Sequence, residues 1–184
     1  MYIKVKRLDK HDFHIYQNCY QNAEFKYYIY GKKDIDIKKT FEILLSISNN
    51  CGEYYAVSYK LNNDDSVYKD MGFCNFRQYE KYPFKTDLET YAINGGVLPE
   101  LFNKGYGIYG CVSLVYLFFI NHPLSLLYAS TFSYNNRSSK MLSALGFKRL
   151  KESIYDKNHF IINKDDFMNN GFVTQILNNL ILDT

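Results

Sequence analysis

The sequence has no tryptophan, only three prolines, and no block of basic residues. Its 22 Lys and Arg residues are scattered along the chain and leave, against 19 Asp and Glu residues, a net charge of +3. Proteins that bind nucleic acid usually gather their basic side chains into a patch or stripe. We therefore expect no nucleic-acid partner for this chain.

Cysteine is also scarce, and it is not arranged as in a metal site. The four cysteines, Cys19, Cys51, Cys74 and Cys111, form no CxxC pair and no Cys/His ligand pattern. The start of the chain carries no signal-peptide pattern, so we expect reduced thiols in a cytoplasmic protein. We predict no bound metal.

No hydrophobic run is long enough to cross a membrane. The longest, Ile108 to Ile120, is shorter than the ~20 residues that a spanning helix needs. The chain has no internal repeat or linker rich in Pro and Ser, and its length suits one domain. We predict a single domain over residues 1–167 with no membrane partner. Residues 168–184 are expected to form a helical tail that packs on this domain or makes a homodimer contact.

What the chain has in excess is aromatic residues, with 19 Tyr and 14 Phe. Tyrosine combines apolar area with a hydroxyl group, so a Tyr-rich chain can line a cleft that is apolar yet hydrogen-bonding. The same residues can equally fill ordinary core and surface positions. Composition leaves both interpretations open.

The spacing of apolar residues alternates between strand and helix patterns. EYYAVSYKL and VYKDMGFCNFRQY, separated by NNDDS, predict an antiparallel hairpin. DLETYAINGGVL predicts a strand whose two glycines indicate a bulge or a close approach to another backbone. The predicted order is β-α-α-β-β-β-α-β-α-β-β, followed by a tail helix with an apolar stripe from Phe172 to Ile181. Because the unit around Gly105 must be a parallel crossover, we predict an α+β fold with a mixed, mostly antiparallel sheet of about seven strands and about four further helices.

Three glycines within six residues stand out in LPELFNKGYGIYG, which runs from Leu98 to Gly110. The first amides of a helix lack intrahelical partners and attract phosphate. Bare backbone at Gly105 and Gly107, with the charge of Lys104, therefore suits a pyrophosphate. The Rossmann spacing nearly fits, but no further βαβ units follow and no carboxylate is placed for a ribose.

From Gly95 to Phe147 the sequence resembles the GNAT superfamily of acyl-CoA-dependent N-acetyltransferases. PELFNKGYGIYG is similar to the family's pyrophosphate-binding segment, and NNRSSKMLSALGF to its later helix, with Asn-x-x-Ser and a Leu-Gly-Phe ending. The spacing is nearest to the branch of ribosomal-protein N-acetyltransferases. The resemblance implies a V-shaped splay between strands 4 and 5, coenzyme A or acyl-CoA as co-substrate, and acyl transfer to a primary amine.

The resemblance also implies which residues hold coenzyme A. An amide of Val97 or Leu98 would donate to the oxyanion, and Asn135 would bind the pantetheine amide. The implied cofactor-binding set is Val97, Leu98, Asn103, Lys104, Gly105, Tyr106, Gly107, Ile108, Asn135 and Ser138. Phe102 departs from the family, which prefers Gln or Arg there, so Lys104 or backbone amides would carry the phosphates.

Two further departures concern catalysis. The family's usual carboxylate on strand 4 is replaced by Ala92, and its usual tyrosine acid by Leu142. The candidates that remain are Ser138 for the leaving sulfur, Glu89 as the base, and Asn94 and Tyr91 to orient an amine or water. Ser138 as a helix cap and Glu89 as a solvated charge are the plain alternatives.

The acceptor region of this superfamily corresponds to EFKYYIYGKKD, residues 24–34. Tyr27, Tyr28 and Tyr30, with Asn94, are the predicted substrate-binding residues, because aromatic rings stack on a base or a sugar face. They can instead form a lid or part of the core. No acidic groove for a basic peptide is evident, which favours a small-molecule amine such as a nucleotide-linked amino sugar. A peptide N-terminal acetyltransferase and a non-catalytic acyl-CoA sensor are the alternatives.

Overall fold

The computed structural model describes residues 1–30, 35–47, 52–78, 86–151 and 156–183, except for the side chains of Tyr30 and Ile47. Within these ranges the strands are β1 (Tyr2–Arg7), β2 (Glu53–Lys60), β3 (Lys69–Gln78), β4 (Thr90–Val97), β5 (Leu126–Phe132), β6 (Lys148–Arg149), β7 (Lys157–Ile162) and β8 (Ile181–Asp183). The helices are α1 (Phe13–Gln21), α2 (Ala23–Tyr30), α3 (Ile37–Ile47), α4 (Tyr106–Asn121), α5 (Asn136–Ala144), α6 (Lys164–Met168) and α7 (Gly171–Asn178).

All eight of these strands form one sheet in the order β6-β7-β5-β4-β3-β2-β1-β8. The pairs β1–β2, β2–β3, β3–β4, β5–β7 and β6–β7 are antiparallel. The pairs β4–β5 and β1–β8 are parallel. The predicted α+β class with a mixed, mostly antiparallel sheet is confirmed, although the described residues hold one strand and two helices more than predicted.

Helix α4 makes the predicted parallel crossover from β4 to β5. Val112, Val115 and Phe118 are buried on the face that packs on the sheet. The first turn of α4 lies beside the last residues of β4. Val97 of β4 lies 3.5 Å from the position that a Cβ on Gly107 would occupy.

The two sides of β4 differ in how far they are paired. Against β3 the pairing is continuous from Tyr91 to Val97, with no shift in register. Against β5 only residues 90–92 pair, with residues 126–128. Beyond residue 92 the two parallel strands are no longer paired, which opens a cleft at this point of the sheet.

The glycine pair in β4 serves a close approach and not a bulge. A Cβ placed on Gly96 would fall 2.0 Å from a ring carbon of Phe25 in α2. Phe25 is 4% exposed and belongs to the core. Glycine at this position therefore lets α2 lie against the strand beside the cleft.

The C-terminal tail departs from the predicted helix. Helix α7 ends at Asn178, and residues 181–183 form β8, which pairs parallel with β1. The predicted continuation of the helix to Ile181 is wrong, because the open edge of β1 offers backbone hydrogen bonds that a frayed last helical turn does not. Helix α7 contacts α4. The domain boundary predicted at residue 167 falls inside α6, where the side chain of Phe167 is fully buried.

The described part of the chain has neither a membrane-spanning helix nor a cluster of metal ligands. No helix there is both long and apolar enough to cross a membrane. Within the same ranges, no group of three or more His, Cys, Asp or Glu side chains is gathered as metal binding would require.

Candidate active site

A cavity of about 460 Å³ lies where β4 and β5 separate. Its lining includes residues 93–97 of β4, residues 71–74 of β3, residues 129–131 of β5, the loop before α4, and residues of α4 and α5 themselves. Phe25, Tyr28 and Ile29 of α2 close one side. The two segments that carried the sequence motifs, residues 98–110 and 135–147, therefore meet at one cavity.

The backbone of β4 presents hydrogen-bonding groups to this cavity. The amide of Leu98 donates to the carbonyl of Met71 on β3 at 2.8 Å. On the opposite side, the carbonyl of Glu89 accepts from the amide of Leu126 on β5 at 2.9 Å. Since backbone groups alternate along a strand, the amides of Gly95 and Val97 point away from β3 and into the opening. Of the two predicted oxyanion donors, the amide of Leu98 is bonded within the sheet, so the amide of Val97 is the one that stays a candidate.

The start of α4 is built without a side-chain cap. Gly105 is its N-cap residue, with a φ of 83°, and its carbonyl accepts a hydrogen bond from the backbone amide of Ile108 at 3.2 Å. Asn103 has a φ of 60°. Both residues line the cavity together with Gly107 and Ile108, so the amides of the first turn lie at its wall, where an anion is favoured.

Not every predicted cofactor residue lies at this wall. Lys104 is exposed, and it is outside the cavity lining along with Leu98 and Tyr106. The ring of Tyr106 packs instead against Tyr59, with centroids 4.6 Å apart. The charge predicted for the phosphates at Lys104 is therefore not placed in the cavity.

The start of α5 is capped by its own sequence. The side-chain oxygen of Asn135 accepts from the amide of Ser138 at 3.1 Å. Asn135, not Ser138, is thus the cap, and its oxygen is used within the helix. Ser138 lines the cavity, as does Leu142, which is 4% exposed at the position where the family has a tyrosine.

Glu89 and Tyr91 lie outside the cavity. The hydroxyl of Tyr91 donates to Glu89 at 3.0 Å, and Gln78 donates to the same carboxylate at 3.1 Å. Tyr91 packs on Phe118 of α4, and burial, with the neighbouring Glu89, raises the pKa of Tyr91 to about 12. Of the four predicted catalytic residues, the structure brings Asn94 and Ser138 to the cavity and leaves this pair at the start of β4.

Two of the cysteines line the cavity, and neither is activated. Burial raises the pKa of Cys111 to about 12, and it raises the pKa of Cys74 well above its usual value. Both thiols therefore stay protonated at neutral pH, which does not suit a nucleophile that would carry an acyl group. Cys51 lies outside the described residues.

The predicted acceptor tyrosines do not all lie at the cavity. Tyr28 lines the cavity. Tyr27 is 43% exposed and stacks on Tyr134, with centroids 4.6 Å apart, while the hydroxyl of Tyr134 donates to the carbonyl of Tyr27 at 3.2 Å. These contacts join α2 to the turn between β5 and α5 beside the cleft. The side chain of Tyr30 is outside the described residues.

Arg137, near the start of α5, lines the cavity and was not found from the sequence. It donates to the side-chain oxygen of Asn103 at 3.2 Å and forms an ion pair with Glu24 of α2. Its guanidinium carbon lies 4.9 Å from the ring centroid of Phe102 and 5.5 Å from that of Tyr28. No spacing rule links residues 34 positions apart, so only the packing of α5 on the α4 loop reveals this contact.

A buried tyrosine–histidine pair lies next to position 92. The Tyr128 hydroxyl is 2.5 Å from Nδ1 of His159, and both residues are less than 10% exposed. Tyr128 is in register with Ala92 on β4, and His159 with Ser130, which lines the cavity. His159 on β7 thus lies one strand away from the cleft.

No protein-family model and no curated protein matches the sequence, but solved structures match its fold. Spermidine N-acetyltransferase from Vibrio cholerae, in complex with CoA and spermine, matches with a TM-score of 0.70 at 14% identity, over 91% of this chain and 98% of its own. Apo FdhC, a nucleotide-linked sugar GNAT, gives 0.66 at 15% identity, over 95% and 93%.

Ribosomal-protein-S5-alanine acetyltransferase from Vibrio fischeri gives a TM-score of 0.61 at 17% identity, over 89% of this chain and 93% of its own. This chain therefore has the GNAT fold. The fold that the sequence resemblance implied is confirmed. The three proteins are named for different acceptors, so the fold alone does not choose among them.

Proposed function

We propose that this chain is a coenzyme A-dependent N-acyltransferase. The observation that carries the proposal is the cavity in the opening between β4 and β5, where the amides of Gly95 and Val97 and the uncapped start of α4 face one space. An extended backbone edge suits a pantetheine arm, and the free amides of a helix start suit a diphosphate. The cavity offers both side by side.

The proposed reaction is a direct attack of a neutral primary amine on the thioester carbon. The amide of Val97 stabilises the oxyanion, the new C–N bond forms, and the C–S bond breaks. The thiolate leaves beside the hydroxyl of Ser138 and takes up a proton, while the amine gives up one. No Asp, Glu or His among the described residues lines the cavity, so this proton leaves through water. Because a thiol has a pKa of about 8.5, its thiolate can depart without a strong acid. The reaction therefore tolerates Leu142, which cannot donate a proton, in the cavity wall.

The favoured acceptor is a small-molecule amine, in particular a nucleotide-linked amino sugar. Tyr28 offers a ring at the cavity wall on the side of α2, and Asn94 offers an amide on β4. Rings of this kind stack on a base or on the face of a sugar. The similarity to FdhC, a nucleotide-linked sugar GNAT, is consistent with this choice. The similarity to the Vibrio fischeri enzyme makes a peptide N-terminus the alternative.

A second candidate function is an acyl-CoA sensor without turnover. Ala92 and Leu142 replace the family's usual base and acid, and Glu89 lies outside the cavity lining. A protein with these replacements can bind acyl-CoA and still transfer nothing. Such a module would keep the CoA contacts and lack a productive amine site.

The test is release of free CoA thiol from acetyl-CoA and longer acyl-CoAs against a panel of amines. The panel holds nucleotide-linked amino sugars, polyamines, aminoglycosides and peptides with free N-termini. Release that depends on an amine supports the transferase and identifies its acceptor class. Tight CoA binding without release across the panel favours the sensor, and no CoA binding overturns both.

A further inference from the structure

Among the described residues, Arg137 is the only charged side chain that lines the cavity. We propose that Arg137 is the phosphate-binding cation that position 102 lacks, and that it exchanges its partner Glu24 for a phosphate group of coenzyme A. The inference rests on the proposed function, because it presupposes that the cavity binds coenzyme A. It assigns the phosphate contact to a helix later in the chain than the glycine-rich turn.

The position of the guanidinium carries the first step. It lies over the ring of Phe102, the residue found where the family prefers Gln or Arg, and bonds to the neighbouring Asn103. Asn103 and Gly105 form the loop that enters α4. A positive charge supplied from α5 therefore occupies the space in which a basic residue at position 102 would place its own.

The chemistry of arginine carries the second step. A guanidinium is planar and always charged, and its N–H donors lie along its edge, where they can bind two oxygens of one phosphate. Aromatic rings against its face fix its orientation through cation–π contact. The rings of Phe102 and Tyr28 do so here, which leaves the donor edge for anions.

Glu24 shows that this donor edge accepts an anion. Its carboxylate binds one guanidinium nitrogen of Arg137, in the way that a phosphate oxygen would. The Glu24 side chain is 50% exposed and that of Arg137 is 37% exposed. Ion pairs with this exposure contribute little, because water competes for both partners. The diphosphate as a whole and the 3′-phosphate of coenzyme A each carry more negative charge than one carboxylate, and a phosphate can accept two parallel bonds where Glu24 accepts one here. We therefore expect the exchange to be favourable.

The test compares three variants of the full chain by calorimetric titration with coenzyme A. Arg137→Gln should weaken binding by about 10-fold or more, the usual effect of losing a hydrogen bond to a charged group. Lys140→Gln removes one charge from an exposed position of the same helix and should stay within about twofold of wild type. Arg137→Lys keeps the charge but loses the planar pair of donors, so its affinity for coenzyme A should lie between those of the other two variants. This variant preserves the test if Arg137→Gln unfolds. An Arg137→Gln affinity equal to that of Lys140→Gln overturns the inference.

Two further titrations locate the phosphate and test the exchange. An equal loss for coenzyme A and 3′-dephospho-CoA assigns Arg137 to the diphosphate, whereas a loss confined to coenzyme A assigns it to the 3′-phosphate. Glu24→Gln should bind at least as tightly as wild type, because the competing carboxylate is gone. Weaker binding by Glu24→Gln would overturn the exchange. Wild-type protein that binds no coenzyme A would instead overturn the proposed function itself.

Discussion

Two helices begin at the walls of the same cavity, and their starts are built in opposite ways. Helix α5 is closed by its own Asn135, whose side-chain oxygen accepts from the amide of Ser138. Helix α4 begins at Gly105, which has a left-handed φ and no side chain to cap with. The unsatisfied amides of a helix start must bond to something. Helix α5 thus bonds the amide of Ser138 with its own side chain, whereas α4 has no such cap and leaves its first amides for the phosphate proposed above.

The largest effect is expected from blocking the open start of α4. Gly107→Val should weaken coenzyme A binding by at least about 10-fold, because its methyl groups fill space at the cavity wall. A Cβ at this position meets Val97 only at ordinary contact distance, 3.5 Å, so the fold should survive. Gly171→Val, at the start of α7 with open space around it, is the matched control. Unchanged affinity in Gly107→Val would contradict the phosphate assignment for this turn.

Opening the closed start of α5 should mainly cost stability. Asn135→Ala leaves the amide of Ser138 without its partner, and loss of such a cap lowers the free energy of unfolding by about 1 kcal/mol. Asn135→Ser keeps a capping oxygen and should recover most of this loss. The neighbouring Asn136→Ala, at an exposed position, should be close to neutral in urea unfolding. Equal unfolding midpoints for the variants at 135 and 136 would mean that the cap contributes nothing.

Gly105→Ala separates backbone strain from blocked space. Gly105 and Gly171 both have nothing within 4 Å of an added Cβ, but only Gly105 has a positive φ, 83°. Gly105→Ala should therefore lower the free energy of unfolding by about 1 kcal/mol relative to Gly171→Ala. Its coenzyme A affinity should fall less than that of Gly107→Val. A larger loss of affinity at 105 than at 107 would reverse the roles given to the two glycines.

The smallest effect concerns a pair that lies outside the cavity lining. His14 of α1 donates to Asp70 of β3 at 2.8 Å, and this hydrogen bond raises the pKa of the imidazole. A raised pKa in the folded state means stability that is complete below the unfolded value of about 6.5 and lost as the pH rises through the folded value. The side chain of His14 is 56% exposed, so the contribution should stay under about 1 kcal/mol.

The measurement for this pair is the thermal midpoint of wild type and Asp70→Asn across that pH range. The difference between them should shrink from about pH 5.5 to about pH 9. Asp64→Asn, in an exposed turn, should show no such trend. Coenzyme A affinity should be unchanged in both variants. A stability difference that grows with pH would give the interaction the wrong sign.

The sequence predicted the local features of the site better than its assembly. The alternation in EYYAVSYKL and the apolar run of α4 are patterns within one element, and the structure has both elements where they were expected. The prediction of a tail helix was wrong at residues 179–183. The apolar stripe continues through these residues, and the strand that pairs with them, β1, lies at the other end of the chain. Glu89 and Tyr91 lie outside the cavity lining, because Glu89 precedes β4 and Tyr91 lies where β4 is still paired with β5.

The sequence by itself determined the class of fold, the glycine-rich start of α4 and the asparagine at the start of α5, because each depends on residues that are neighbours along one segment. Tertiary structure alone decided which amides of β4 remain unpaired, since that depends on where β5 diverges. It also decided that the charge at the cavity comes from Arg137. The side chains of α2, α4 and α5 meet there only when three helices pack on one sheet, and no periodicity along the chain encodes that meeting.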